Sequence, residues 1–378
     1  MRVPERFKVG IERVDPLGPD DAEAVDAFQR ANFPPDGRQV DPASRTWLFA
    51  QNPHAGDDGP YFWVCRRDGQ VVGQQTEMPV ELKVGDDRRL GSWAIDLMVE
   101  GKWRLRGVGP ALISTLMENR SIVGVLYASD DGYPAFLKAG CVDLGVMPRY
   151  RRALDPGQAL RHARVPARLR ALAPVIAPVL RLADAGAAAA VRLAGARLVP
   201  VDRLDERVDE VWAAAADAYP VLASRDLKAV AWKIEQRPDR ATLQRYYLVR
   251  GRRTVGYVVI RPTLSTTSAA ERTAVVVDYL APPRWVASLL LAAGRAARSD
   301  GAVALSLRTR NVQAERALRL AGFLRSSQAG EHPIHHLVYC ADDAGISALV
   351  QDPDSWFLTA ADGDVEAAMP PVHLDGRS

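Results

Sequence analysis

The residues best placed to do chemistry in this 378-residue chain cluster between Asp96 and Arg120. Arg104, Arg106, Gly107 and Gly109 make a short basic glycine turn, followed at once by Pro110 and a run with Ile113, Leu116 and Met117 on one apolar helical face. Glycines let a backbone come close to a ligand and aim successive N–H groups at it. Proline in a first helical turn fits because its missing N–H would have had no intrahelical partner. A helix N-terminus behind the turn adds about half a positive charge. The sum is an anion cradle suited to a pyrophosphate. Carboxylates that could accept a proton stand close by in sequence: Asp96 inside the preceding strand, Glu100 at its open end, and Glu77 one strand earlier.

The elements that must position these groups follow from periodicity. Residues 93–99 read as a strand ending in an apolar run, and 110–118 as the helix after the turn. Residues 61–66 and 70–84 read as strands joined at Arg67-Asp68-Gly69, a hairpin signal. Upstream, 19–31 reads as a helix with an acidic start, and 41–51 as a second helix anchored by Trp47 and Leu48. Downstream, 122–128 is a short apolar strand, Asp130-Asp131-Gly132 breaks the chain, and 133–139 is a short helix ending at Gly140.

The line Val99-Glu100-Gly101-Lys102-Trp103-Arg104-Leu105-Arg106-Gly107-Val108-Gly109 carries the spacing Arg104-x-x-Gly107-x-Gly109. It resembles the acyl-CoA loop of the GNAT (GCN5-related N-acetyltransferase) superfamily, with Gly101 where the family usually has proline. The resemblance implies an α/β (α+β) fold with a mixed, mostly antiparallel central sheet flanked by helices. It implies acetyl-CoA or another acyl-CoA as co-substrate, with no metal. Arg104, Leu105, Arg106, Gly107, Val108, Gly109 and Pro110 would hold the phosphates. The backbone of Leu97, Met98 and Val99 would pair with pantetheine along a strand that splays from its neighbour, and would polarise the thioester carbonyl. Glu100 is the leading candidate base, with Asp96 and Glu77 as alternatives. Many relatives carry a tyrosine four residues before the final glycine of the helix. That position is Phe136 here, and Tyr133, one turn earlier on the same face, is the substitute acid. The implied activity is N-acyl transfer to the primary amine of a small molecule, amino sugar or peptide. A Fem-like aminoacyl-tRNA-dependent transferase and a non-catalytic CoA-binding regulatory or scaffold module are the alternatives.

The pattern returns later in the chain. Trp47-x-x-x-Gln51-x-Pro53 recurs 185 positions on as Trp232-x-x-x-Gln236-x-Pro238, Asp96-Leu97 recurs 182 positions on as Asp278-Tyr279, and Gly140-Cys141 recurs at the same offset as Gly322-Phe323. A nearly constant shift argues for a tandem duplication. The expected organisation is a GNAT-like unit at 1–150, an Ala/Arg-rich helical linker at 151–200, a degenerate second unit at 201–340 and an acidic tail at 341–378. At the cradle position the second copy has Ala281-Pro282-Pro283, which lacks the glycine pair and two of the N–H groups a phosphate would need. The acyl donor therefore belongs to the first copy, and the second is expected to shape the acceptor site. Trp356-Phe357-Leu358 should dock the start of the tail on the body, with 360–378 mostly disordered.

Composition sets the outer limits. Nearly half the chain is apolar and a quarter charged, with net charge +3, which does not suggest a dedicated nucleic-acid binder. Cys65, Cys141 and Cys340 show neither metal spacing nor a disulfide framework, so a reducing cytoplasm is the expected compartment. No apolar run is long enough to span a bilayer. The arginine-rich linker reads as a helical connection with solvated arginines, or more sharply as a peripheral contact with an acidic membrane or an anionic polymer. His54, His332, His335 and His336 show no convincing partner spacing. His335 and His336 point to opposite faces of a strand-like run, against a shared metal.

Overall fold

The turn at Asp68-Gly69 sets the first hairpin, because both residues take left-handed φ, 50° and 75°, as a tight two-residue hairpin requires. The computed structural model describes residues 8–55 apart from 19, then 62–155, 195–264, 272–326 and 333–363, with single positions between 156 and 194. Most of the basic linker and the chain after Gly363 lie outside these residues. The strands are β1 (Ile11–Arg13), β2 (Phe62–Arg67), β3 (Gln70–Val84), β4 (Asp87–Val99), β5 (Ile122–Val125), β6 (Val142–Val146), β7 (Arg149–Ala153) and β8 (Ala196–Val201). They continue with β9 (Val221–Ala223), β10 (Gln244–Arg250), β11 (Arg253–Leu264), β12 (Arg272–Leu280), β13 (Ala304–Arg310), β14 (Leu324–Arg325), β15 (His335–Cys340) and β16 (Trp356–Thr359). The helices are α1 (Ala22–Asn32), α2 (Pro42–Arg45), α3 (Val108–Asn119), α4 (Gly132–Ala139), α5 (Arg207–Ala215), α6 (Leu227–Val230), α7 (Pro283–Ser299), α8 (Glu315–Leu320) and α9 (Ala344–Val350).

Among the described residues the strands join one mixed sheet in the order β6-β15-β5-β4-β3-β9-β16-β13-β12-β11-β10-β8, with β1 and β2 branching from β3, and β7 and β14 from β13. Among the pairings that cross the chain, two exchange strands between its halves. β7 lies antiparallel to β13, with Leu307 opposite Tyr150. β15 lies antiparallel to β5, with Leu337 opposite Val125. Each half of the sheet thus takes a strand from the other half of the sequence. The stretch expected to be a docked tail is built further in: β16 enters the sheet itself, parallel to β9 and antiparallel to β13. Ala360 and Asp362, expected in a disordered end, are fully buried, because they close the turn that follows β16.

The two sequence landmarks Trp47 and Trp232 meet at the seam. Their rings stack with centroids 5.3 Å apart, and each indole N–H donates to the other residue's carbonyl at 2.9 Å. Both sit in π-helical turns, Thr46–Ala50 and Ala231–Glu235, which continue α2 and α6 behind the N-caps Asp41 and Asp226. The surrounding core mixes both halves, with Leu48, Met78, Trp93, Val221, Trp232, Val338 and Trp356 in one cluster. Fully burying each such side chain contributes about 1.5–3 kcal/mol, so neither half keeps this core without the other.

Trp93 decides how β4 meets β5. Gly124 on β5 faces it, and a Cβ there would stand 2.2 Å from the indole Cζ3. Gly124→Ala must displace the ring or the strand, and the expected loss is about 1–3 kcal/mol of unfolding free energy, read as a lowered urea midpoint at unchanged slope.

Candidate active site

β4 and β5 run parallel but pair at only two positions, Ser92 with Val123 and Trp93 with Gly124. Beyond Trp93 they part. A bulge accompanies the parting: Gln74 pairs with Met98 and Thr76 with Ile95, so Asp96 and Leu97 together oppose Gln75. Asp96 takes the left-handed conformation at φ 56°, uncommon for a residue with a Cβ. No strand of the described residues pairs with the β5-facing edge of Leu97, Met98 and Val99, and all three are half-buried. The result is a wedge with a strand edge along one wall that no described strand pairs.

The basic glycine turn lies at the mouth of this wedge. Gly107 caps α3 with φ 85°, a conformation that costs glycine little. Gly109 is different. Its φ is ordinary, and an added Cβ would meet nothing closer than Val99 Cγ2 at 3.7 Å. Nothing within the protein demands glycine at 109, which fits a residue kept small for an outside partner. Val108 and Leu112 pack into the core beneath, while Arg104, Leu105 and Arg106 are exposed. Arg104 spans the mouth: its Nε donates to Val99 O at 3.1 Å and its Nη1 to Asp131 Oδ2 at 3.3 Å, at the start of α4. Arg106 lies over the Trp103 ring, 5.6 Å from its centroid. Leu105, fully exposed with φ 60°, is the tip of the turn.

The carboxylates singled out by sequence differ in company. Glu77 is fully buried and bound by Arg120, whose Nη2 and Nε donate to it at 2.7 and 2.9 Å. Asp96 accepts from Arg38 Nη2 at 2.8 Å and Gln39 Nε2 at 2.6 Å, and its carbonyl accepts from Gln74 Nε2. Glu100 is one-third exposed, 3.0 Å from Lys102 Nζ. Glu100 is the one of the three with substantial access to water, while Asp96 anchors the segment before α2 to the bulge.

Tyr133 leads to residues that sequence alone did not join. Its phenol donates to Asp143 Oδ2 at 2.7 Å, and this bond, with some desolvation, raises its pKa. His335 Nδ1 meets the same oxygen at 3.0 Å, and the two rings stand 4.6 Å apart. Burial would raise the Asp143 pKa, but the bonds from Tyr133, the Gly145 amide and His335 outweigh it and hold the carboxylate below its usual range. His335 has the partner its sequence spacing did not reveal, because the exchanged strand β15 carries it across 192 positions to Asp143. His335 lies two residues before Leu337, whose partner Val125 is the last residue of β5. Phe136, at the family's tyrosine position, is buried core.

In the second half the equivalent wedge is filled. β12 pairs with β13 only at 274–276, and past that point β16 enters, with Thr359 opposite Thr309 and the Ala361 amide donating to Val277 O at 3.0 Å. Asp278, beside a bulge in β12, is sealed beneath. Arg225 Nε donates to it at 3.1 Å and the Tyr257 phenol at 2.7 Å, while Lys233 Nζ meets Asp362 Oδ1 at 3.1 Å. Pro282 and Pro283 occupy the turn at the start of α7. Among the described residues no group of three or more His, Cys, Asp or Glu could hold a metal ion, and no helix is long and apolar enough to cross a membrane.

No family model and no curated protein sequence matches this chain. Solved structures do. A GCN5-related N-acetyltransferase from Anabaena variabilis aligns at 13% identity, covering 87% of this chain and 72% of that one, with TM-score 0.59. Eis1 from Mycobacterium abscessus aligns at 16% identity over 90% and 76%, with TM-score 0.54. Saccharomyces cerevisiae N-myristoyltransferase with bound myristoyl-CoA aligns at 11% identity over 87% and 82%, with TM-score 0.52. The chain has the GNAT fold, as the glycine turn implied.

The buried network gives a pH signature. Burial would raise the Asp362 pKa, but Arg225 and Lys233 overcome it and take it down to about 2. A depressed carboxylate stabilises the fold above its unfolded pKa and loses that contribution as pH falls through its folded pKa. Stability should therefore fall from about pH 4 toward pH 2. Asp362→Asn should destabilise the protein at pH 7 and flatten this acid limb in pH-dependent urea unfolding. An unchanged limb would remove Asp362 from the acid transition.

Proposed function

We propose that this chain is an acyl-CoA-dependent N-acyltransferase with one donor site, in the wedge between β4 and β5. The observation that carries the reading is the meeting of an unpaired strand edge, Leu97 to Val99, with the glycine turn at the head of α3. The N–H groups of the turn, Arg104 and Arg106 would take the pyrophosphate, charge-assisted bonds being the stronger kind. Arg104 would exchange Asp131 for phosphate as the donor enters. Pantetheine would complete the parted edge, and amides near the bulge would stabilise the oxyanion that forms when the amine attacks the thioester carbon. The filled second wedge and its two prolines support a single donor per chain. Acetyl-CoA is the default donor, and a primary amine of a small molecule, amino sugar or peptide is the acceptor.

Within this reading Glu100 is the base, directly or through water, and Asp96 positions the segment before α2 rather than moving a proton. Tyr133 protonates the departing thiolate, its hydroxyl placed by Asp143. One observation favours a second reading, a module that binds CoA without transferring from it: the Tyr133 proton is committed to Asp143. Thiol release with an amine library separates the two.

Calorimetry should find one CoA bound per chain. Gly109→Glu should abolish that binding with the fold intact by circular dichroism, since it sets a carboxylate where the phosphates lie. Retained affinity would refute the wedge assignment. Tyr133→Phe should slow thiol release at least about tenfold, or about 1.4 kcal/mol of barrier, at unchanged CoA affinity. An unaltered rate would reduce Tyr133 to a packing role.

A further inference from the structure

A cavity of about 270 Å³ opens at the seam of the sheet, between the β6–β7 connection and the end of β13 with the start of α8. Gly145, Tyr150, Arg310, Glu315, Arg325 and Asp354 contribute to its wall. The position is the second half's counterpart of the Tyr133–Asp143–His335 cluster, since Glu315 stands 182 positions after Tyr133 and Arg325 the same distance after Asp143. The cavity is smaller than the roughly 300–1,000 Å³ of sites for drug-sized ligands, so its occupant is small.

Arg310 is the unusual group. Its Nη2 donates to Gly145 O at 2.8 Å and lies 3.4 Å from Val146 O, and its buried Nε has no hydrogen-bond partner among the described residues. None of its hydrogen bonds among the described residues goes to a carboxylate. Burial lowers its pKa, and the more distant Asp354 and Asp143 only oppose that effect. A partly buried guanidinium held by carbonyls alone lacks the counter-charge that normally repays desolvation. The cavity offers room for one. Yet Glu315 and Asp354 share the wall, and a plain anion would meet repulsion there. Two arginines and two carboxylates around one small cavity fit a molecule that carries both charges close together.

We propose that this cavity binds a free α-amino acid, its carboxylate on Arg310 and Arg325 and its ammonium on Glu315 and Asp354. The binding claim stands apart from the acyl-transfer reading. A consequence for that reading follows from one residue, whose two flanking peptide groups face the two sites. Gly145 O accepts from Arg310, while Gly145 N donates to Asp143 Oδ1 at 2.7 Å, and Asp143 Oδ2 holds Tyr133 and His335. A carboxylate drawing Arg310 into the cavity loosens the Gly145 carbonyl and shifts the cluster behind it. Such coupling is reciprocal in binding free energy, so an acyl donor that moves the cluster alters amino-acid affinity.

The test uses the full chain in calorimetry and thermal-shift assays. The probes are the standard amino acids, the matching carboxylic acids without the amino group, and inorganic phosphate. At least one amino acid should bind once per chain, with its des-amino counterpart and phosphate at least about tenfold weaker. Arg310→Met should weaken the amino acid by at least the same factor. Glu315→Gln with Asp354→Asn, both on the surface, should weaken it while leaving the des-amino acid unchanged. These two variants and Arg325→Met carry the test if Arg310→Met does not fold. Absence of binding by every amino acid, equal binding of the des-amino acid or phosphate, or affinities unmoved by the variants would overturn the proposal.

Discussion

A peptide group inside a sheet must find a hydrogen-bond partner, and this molecule answers that requirement in two ways at equivalent places. Where β12 parts from β13, the chain supplies β16, and the backbone is satisfied from within. Where β4 parts from β5, no described strand enters, and the edge of Leu97 to Val99 stays available. An unpaired buried peptide group costs about as much as a lost hydrogen bond with its desolvation. A ligand that brings its own amides into the first wedge therefore gains what β16 already gains in the second. The asymmetry between the halves reduces to which gap the chain fills itself.

The filling in the second half is locked by charge. Arg225, Asp278, Lys233 and Asp362 are nearly inaccessible, joined by Tyr257 and Thr359. Buried ion pairs of this kind add little net stability over an apolar core, but losing one partner strands the other, at about 3–5 kcal/mol. Such a network specifies where β16 must sit. In the first half Arg38 and Gln39 bind Asp96, and no strand of the described residues is laid over them. The two aspartates thus serve different ends: Asp96 ties down the bulge beside an open wedge, and Asp278 anchors a plug in a closed one.

Strand exchange makes the halves inseparable. β7 and β15 each complete the sheet of the other half, and the Trp47–Trp232 pair closes the seam with two reciprocal hydrogen bonds. The exchange also brings chemistry together, since His335 reaches Asp143 and Tyr133 only because β15 lies beside β5. Much of the architecture was legible in advance. The hairpin at Asp68-Gly69, the long strand into the glycine turn, α3 and α4 all follow from local turn chemistry and periodicity. The landmarks Trp47 and Trp232, picked out by their matching spacing, meet in the structure, and Pro282 and Pro283 stand at the start of α7. The β5 strand proved shorter than its apolar run, because the chain leaves the sheet once β4 has diverged. The C-terminal stretch gave no sign that it was a central strand: four residues with acidic flanks read as a docked tail.

By itself the sequence determined what short-range physics controls: the glycine turn and its helix, the spacing that resembles an acyl-CoA loop, and the Pro282-Pro283 start of α7. Only the tertiary structure decided which strand pairs with which. β16 fills one wedge, β15 delivers His335, and Arg310 lies at a seam cavity with backbone carbonyls for company. The reason is that strand pairing across hundreds of residues depends on which edges remain unpaired once the local elements have formed. An edge left over is a property of the assembled sheet and not of any stretch of sequence.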